Sequence, residues 1–451
     1  MNFNIDGGNL FWILAAILPL MSCGGVLMAA GPDVPSGRKL GSILNADNHS
    51  TNLWVCSGLE TTREEAASAA AALVSAGPGV LALRVGSPDP VYFRSRVGTT
   101  IDKHLEQVAL AAHGEEVLEN QRPTAQTMRR LLELGTDPLE LAVEACRERG
   151  VLIVGSFRMN DAHFGDHRAE LADFWRDNPQ WRIAGTTVVD PAIPQVYEHR
   201  MALFREVLEN YDIDGIEFDF MRWQHMISEP RRNHTVLTKM VAETRSMLDD
   251  VARRKGRRKL LLGVRVPPSL QTRPDVAQYP GMAHPEMNHS CLDKGLNVKT
   301  WIDHGDVDYV CPSLSWPLWP GLPHTKEFVD LAGGTEVGIY PTLFPVPTWV
   351  HGANTTPIER DDHERLLRYK NELCRLALQL YDDGADGIST YNWIPHAQRG
   401  LVPDPPRLRT NWGDGAKQVQ LVIHAKLDNR EQLEAYLQQK DLEAILGVDP
   451  G

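Results

Sequence analysis

The stretch Ile213-Asp214-Gly215-Ile216-Glu217-Phe218-Asp219-Phe220-Met221-Arg222-Trp223 decides how the chain is read. A β-strand sends successive side chains to opposite faces, so Glu217 and Asp219 share one face while Ile216, Phe218 and Phe220 take the other. Carboxylates on a core strand are costly to bury unless paired or hydrogen-bonded, so that face points to a pocket, an arginine or a substrate. A purely structural acid–arginine network is the competing reading, because buried ion pairs perturb side chains much as active sites do.

Working outward, strand-like runs alternate with helical ones. Residues 52–57 (NLWVCS) read as a first strand, followed by Thr62-Thr-Arg-Glu65, a capping-box pattern that opens an alanine-rich helix ending at Gly77. Residues 80–86 (VLALRVG) form the second strand. The connection beyond it, with Pro88, Pro90 and Tyr92-Phe93-Arg94, is too long for an ordinary loop and is expected to lie over a site as a lid or wall. Asp137-Pro138 starts a helix that stops at Gly150, and residues 151–157 make a third strand running into Arg158-Met159-Asn160-Asp161-Ala162-His163. The opening motif is the fourth strand. Residues 260–266, 307–316, 336–344 and 386–393 supply the remaining four, each with helical sequence between.

Strands each followed by a helix predict the α/β class and a parallel (β/α)8 TIM barrel over residues 45–395, with a long insertion after the second strand. An open doubly wound sheet is the alternative, but no glycine-rich phosphate loop follows the first strand. Residues 396–451 read as a C-terminal extension, with one helix over residues 430–446.

The composition narrows the function. With 42% hydrophobic and 23% charged residues in 451, the chain can bury a large core. A formal net charge of −13 argues against a nucleic-acid partner. Residues 10–21 (LFWILAAILPLM) have the length of a signal-peptide apolar core, so residues 1–30 are set apart as a targeting segment. Leu20-Met21-Ser22-Cys23 resembles a bacterial lipobox, although Asp6 stands where a positive start is usual. The expectation is an exported protein, periplasmic, secreted or lipid-anchored through Cys23. The other cysteines, Cys56, Cys146, Cys291, Cys311 and Cys374, show no CxxC pair and are expected as buried free thiols.

Asp214-Gly-Ile-Glu217-Phe-Asp219 resembles the fourth barrel strand of glycoside hydrolases. It is similar to the DGxDxDxE strand of family 18 chitinases, with Met221 where their catalytic glutamate stands, and to the α-amylase pattern, with Glu217 in place of the arginine. The closest resemblance is to the bacterial glycosyl-hydrolase-like family 10 proteins. It is carried by Tyr211-Asp-Ile-Asp214-Gly-Ile-Glu-Phe-Asp219, by an arginine on the third strand, and by a last strand closing on an aromatic-Asn pair, Tyr391-Asn392. The resemblance spans most of residues 50–395 and implies a sugar-acting barrel, with polysaccharide or oligosaccharide as partner.

Glycoside hydrolysis needs one carboxyl group as acid and another as nucleophile or base. Asp219, nearest the mouth of its strand, is the first candidate; Asp161, at the end of strand three, and Glu217 are candidates for the second. Asn160 and Asp161 would equally serve as a turn or helix cap. Arg84, Arg158, Arg265 and Arg222 fall on or just after strands, where they are expected to neutralise Glu217 or to bind an acidic sugar. Trp223, Trp316, Trp319, Tyr340, Tyr391 and Trp393, with Asn392, stand at strand ends where ring faces can stack on sugars. His163, His225 and His396 are candidate proton shuttles, substrate hydrogen-bond partners or metal ligands. With no HExxH and no His-x-His, neither metal nor other cofactor is expected. A catalytically silent carbohydrate-binding barrel, and a hydrolase or lyase acting on an acidic glycan, stay open beside the glycosidase.

Overall fold

Among the described residues of the computed structural model, nine strands, all paired in parallel, form one sheet in the order β7-β6-β5-β4-β3-β2-β1-β9-β8. They are β1 (Ile43–Ala46), β2 (Val80–Gly86), β3 (Leu152–Arg158), β4 (Gly215–Asp219), β5 (Leu261–Val266), β6 (Tyr309–Pro312), β7 (Gly338–Ile339), β8 (Thr342–Leu343) and β9 (Ser389–Tyr391). The structure describes residues 34–47, 56–87, 89–103, 115–160, 172–222, 225–271, 290–314, 322–345, 357–391, 393 and 413–447, with backbone alone for 115–123. Among these residues no helix is long and apolar enough to cross a membrane.

The sheet curls. Asn45 on β1 reaches Glu217 on β4 at 2.7 Å, although two strands lie between them in the order. The two strands that end the order, β7 and β8, are separated along the chain only by Tyr340-Pro341. Proline has no N–H to offer a ladder. The Tyr340 N–H still donates to Val310 on β6 (2.9 Å), while the Pro341 carbonyl accepts from Ser389 on β9 (3.1 Å). A curled parallel sheet with helices between its strands is the arrangement of an α/β barrel.

Helices form where the caps direct them. Thr62 accepts from the Glu65 N–H (3.1 Å) at the start of α1 (Arg63–Leu73). In the long connection after β2 lies α2 (Glu115–Glu133), and α3 (Pro138–Arg149) begins at Asp137 and ends on Gly150 in the left-handed region at φ 67°. The connections after β3 and β4 hold α4 (Asp173–Asp177), α5 (Pro194–Asn210) and α6 (Pro230–Arg254). Next come α7 (Val298–Asp303), α8 (Thr325–Ala332) and α9 (His363–Asp382). Last are α10 (Gly413–His424), α11 (Arg430–Gln438) and α12 (Leu442–Ile445), so the single helix expected over 430–446 is two. These pack on α9: the buried Lys370 ammonium donates to the carbonyls of Tyr436 (2.9 Å) and Leu437 (3.1 Å), and Gln420 donates to Tyr369 (2.8 Å).

The first strand is corrected. It is Ile43–Ala46, paired with β2 and β9, and not the run at 52–57. Residues 51–55 lie outside the described residues, while Cys56 and Ser57 lead into a 3₁₀ turn, Gly58–Glu60. A four-residue strand with a polar Asn45 facing inward has too few apolar positions to stand out beside the apolar run Leu53-Trp-Val-Cys56. The five cysteines named as thiols are all buried, and Cys146, Cys291, Cys311 and Cys374 are free.

Three acids at the amino ends of strands act as clasps. Asp214 accepts from the Ile153 N–H (2.8 Å) and pairs with Arg147. Asp308 accepts from the Leu262 N–H (2.7 Å) and pairs with Arg245, and Asp386 accepts from the Ile339 N–H (2.9 Å) and pairs with Arg38. Asp214 and Asp308 tie the starts of β4 and β6 to the preceding strands and Asp386 ties the start of β9 to β7, each using a backbone donor that would otherwise be buried without a partner.

Candidate functional site

At the carboxyl ends of the strands, arginines and acids interlock in two layers. Asp219 ends β4, directly opposite Arg265 in the register of β5. The Arg265 Nη1 lies 3.0 Å from both Asp219 carboxylate oxygens, and its Nη2 donates to Ser313 (2.8 Å). The Met221 N–H also donates to Asp219 Oδ1 (2.8 Å), so the chain turning out of the strand orients the carboxylate. Asp219 and Arg265 are each 1% exposed.

The neighbouring cluster centres on Asp47, just beyond β1. Arg158 grips it with Nε to Oδ1 at 2.5 Å and Nη2 to Oδ2 at 2.7 Å. Arg222 Nη1 stands 3.3 Å from Asp47 Oδ2, and the Tyr391 hydroxyl donates to the same oxygen. Burial pushes the Asp47 carboxyl up, but the Arg158 and Arg222 guanidiniums outweigh it and hold the group well below the usual carboxylate range. Tyr391 joins the two clusters, accepting from Arg222 Nη1 while its ring carries the Arg265 guanidinium 3.8 Å from the centroid. Nearby, Asn160 accepts from the Arg222 N–H (3.3 Å), and Arg84 donates to Ser87 (2.5 Å) beside the Tyr92 ring.

Glu217 lies one layer deeper. The expectation that Arg158 and Arg265 neutralise it is corrected: they hold Asp47 and Asp219. Glu217 instead accepts from three neutral donors, Asn45 (2.7 Å), Ser156 (2.9 Å) and the Tyr309 hydroxyl (3.1 Å). Gly263 makes room for that hydroxyl, since a Cβ there would fall 1.9 Å from the Tyr309 ring. Burial and the charge of Asp219 push the Glu217 carboxyl up to about 7, against the lowering by Ser156, Arg265 and Tyr309. One strand thus carries a carboxylate against a guanidinium and, two residues deeper, a carboxyl that changes protonation near neutrality.

The structure brings together Asp219, Glu217, Arg158, Asn160, Arg222, Arg265 and Tyr391. It does not bring Tyr340 or Trp393 to them. Tyr340 packs at the opposite end of the sheet, where its hydroxyl accepts from the Leu40 N–H ahead of β1 (2.8 Å) and its ring edges Tyr309. Trp393 is buried against the C-terminal helices, its Nε1 donating to Leu343 (2.9 Å) and its ring edge-on to His424. Asp161, His163, Trp223, Trp316, Trp319, Asn392 and His396 lie outside the described residues, and His225 is half-buried on the loop after β4. Asp47, Asn45, Ser156 and Tyr309 escaped the sequence reading. Alternation in Ile43-Leu-Asn45-Ala-Asp47 was the available sign, with Asn45 and Asp47 two apart like Glu217 and Asp219. Among the described residues no cluster of three or more His, Cys, Asp or Glu is placed to hold a metal ion.

Residues 114–326 match the family model described as Glycosyl hydrolase-like 10, a stretch holding β3 to β6 and therefore Arg158, Glu217, Asp219 and Arg265. The chain resembles that family over this stretch. Two similar solved structures are a class V chitinase from Pseudomonas fluorescens Pf-5 and alpha-L-fucosidase isoenzyme 2 from Paenibacillus thiaminolyticus. The first is 10% identical with a TM-score of 0.38, covering 78% of this chain and 94% of the chitinase chain. The second is 13% identical with a TM-score of 0.41, covering 88% of this chain, which spans half the length of the fucosidase chain. No curated protein matches.

Proposed function

We propose that this glycosyl-hydrolase-like chain is a glycosidase that cleaves a polysaccharide or oligosaccharide at the carboxyl end of a closed (β/α)8 barrel, β7 and β8 being two halves of its seventh strand. The observation that carries the reading is Asp219 at the end of β4, oriented by the Met221 N–H and facing the Arg265 cation. A carboxylate so held suits a nucleophile or base better than an acid. Glu217, protonatable near neutrality, and Asp161, just beyond Asn160, are the proposed sources of the second carboxyl. A separation of about 5–5.5 Å between acting carboxyls suits retention, and about 6.5–9.5 Å suits inversion. Arg158, Arg222 and Tyr391 would fix the substrate, and the arginines favour an acidic sugar.

The test is hydrolysis across a panel of neutral, N-acetylated and uronic-acid oligosaccharides by parent and Asp219→Asn. Cleavage by the parent, reduced several orders of magnitude in the variant, supports the assignment; an equally active variant removes it. A second reading, a silent carbohydrate-binding barrel, is supported by the 1% exposure of Asp219 and by Met221 at the chitinase glutamate position. Calorimetric binding of a panel glycan without product release would favour it.

Export is proposed on the apolar segment at 10–21 and Cys23. Intact mass of protein from its native host tests this, a mature chain beginning near residue 23 supporting export and one retaining Met1 ruling out processing.

A further inference from the structure

We propose that the excursion over residues 172–193, between β3 and α5, is a second glycan-binding subsite, an aromatic platform beside the mouth of the barrel. The inference rests on the carbohydrate reading above and adds where a longer chain would be held. Residues 173–181 run Asp-Phe-Trp-Arg-Asp-Asn-Pro-Gln-Trp, placing Phe174, Trp175 and Trp181 within eight residues. All three stay half-buried and reach solvent. So many large rings left partly wet in one short excursion would be a poor use of apolar surface for packing alone.

The platform is built in advance. The Trp175 indole N–H donates to the Thr187 carbonyl (2.6 Å), Asn178 donates to the Phe174 carbonyl (2.8 Å), and Arg182 and Val189 form an antiparallel bridge. The Arg182 guanidinium lies 3.6 Å over the Trp175 ring and donates to the Trp175 carbonyl (3.1 Å). His199, at the start of α5, stacks on Phe174 with centroids 3.9 Å apart and planes 6° from parallel, and Trp181 leans on the same ring at 5.1 Å. His199 is itself held by Asp89 (3.0 Å). Rings fixed before binding lose little freedom when a ligand arrives.

Position ties the platform to the candidate site. The Asp173 N–H donates to Thr99 in the connection after β2 (3.0 Å), and Asp190 accepts from the Ser228 N–H in the loop after β4 (3.3 Å). The excursion is therefore pinned between two loops that leave the sheet at its carboxyl end, where Asp219 stands. Its composition fits a sugar more than an apolar peptide: the three rings share one short segment with the exposed Arg176, Asp177 and Gln180, a combination that suits both the C–H face and the hydroxyl rim of a pyranose.

The experiment is calorimetric binding of short and long oligosaccharides of N-acetylhexosamine, hexose and uronic acid to the full chain, comparing the parent with Trp181→Ala, Phe174→Ala and Trp181→Phe. The expected result is that the parent prefers long oligomers, that each alanine variant binds them about tenfold more weakly while short oligomers bind as before, and that Trp181→Phe restores the preference. Retained preference in both alanine variants, or no preference in the parent, overturns the platform and leaves the glycan site at Asp219 standing. If the parent binds none of these glycans, both readings fall. Circular dichroism of each variant guards against misfolding, and Trp181→Phe failing in a folded protein counts against stacking.

Discussion

Arg265 and Asp219 face each other across β5 and β4 in strict register, with one guanidinium nitrogen 3.0 Å from both carboxylate oxygens and both residues sealed from water. Removing one partner of a buried pair leaves the other charge uncompensated, at a cost of about 3–5 kcal/mol. Asp219→Asn is therefore expected to lower stability as well as turnover, and Asp219→Asn combined with Arg265→Gln to regain part of the stability but none of the turnover. Urea unfolding beside glycan hydrolysis measures both. An Asp219→Asn variant as stable as its parent would refute the pairing.

Glu217→Gln should behave differently, because the partners of Glu217 are neutral. With the carboxyl raised from 4.5 to about 7, folding favours the protonated form. Its stabilising contribution is complete below pH 4.5 and is lost as the pH rises to about 7, roughly 3 kcal/mol in all. The Gln variant does not titrate, so the difference in melting temperature should move in its favour across that window. A constant difference between pH 4.5 and pH 7.5 would count against a neutral Glu217.

His424 sets the opposite limb. Burial pushes its imidazole down from 6.5 to about 4, and the ring meets Thr390 (3.1 Å) across the join between α10 and β9. The neutral ring stabilises fully above pH 6.5, and that stability is lost as the pH falls through about 4, again on the order of 3 kcal/mol. His424→Gln, which keeps a hydrogen-bonding group without titrating, is expected to reduce the loss of melting temperature between pH 7 and pH 4. Identical acid sensitivity in parent and variant would place the acid limb elsewhere.

Arg200 on α5 is 2% exposed, yet its Nε and Nη1 have no hydrogen-bond partner among the described residues. Burial lowers its guanidinium to about 10 despite the pull of Asp190. A charge buried so poorly is a liability, so Arg200→Met is expected to raise stability by about 2 kcal/mol in chemical denaturation. A destabilised Met variant would refute the reading of Arg200 as a poorly buried charge.

Much of this protein was legible in the order of its residues. Alternation along Ile216 to Phe220 put Glu217 and Asp219 on one face, the Thr62 and Asp137 caps marked helix starts, and Arg158 and Arg265 stood out as charges on apolar strands, because each is a local property of backbone geometry. Which arginine meets which acid is not local. In the sheet Arg265 stays on its register partner Asp219, while Arg158, in register with the same Asp219, crosses to Asp47 just beyond β1 and leaves Glu217 to Asn45, Ser156 and Tyr309. Tyr340 and Trp393 looked alike as aromatics near strand ends, yet one plugs the far end of the sheet and the other lies under the C-terminal helices. Curvature made those choices: bending a parallel sheet until β1 faces β4 sets distances between residues far apart in the chain, and local residue patterns carry no record of that bend.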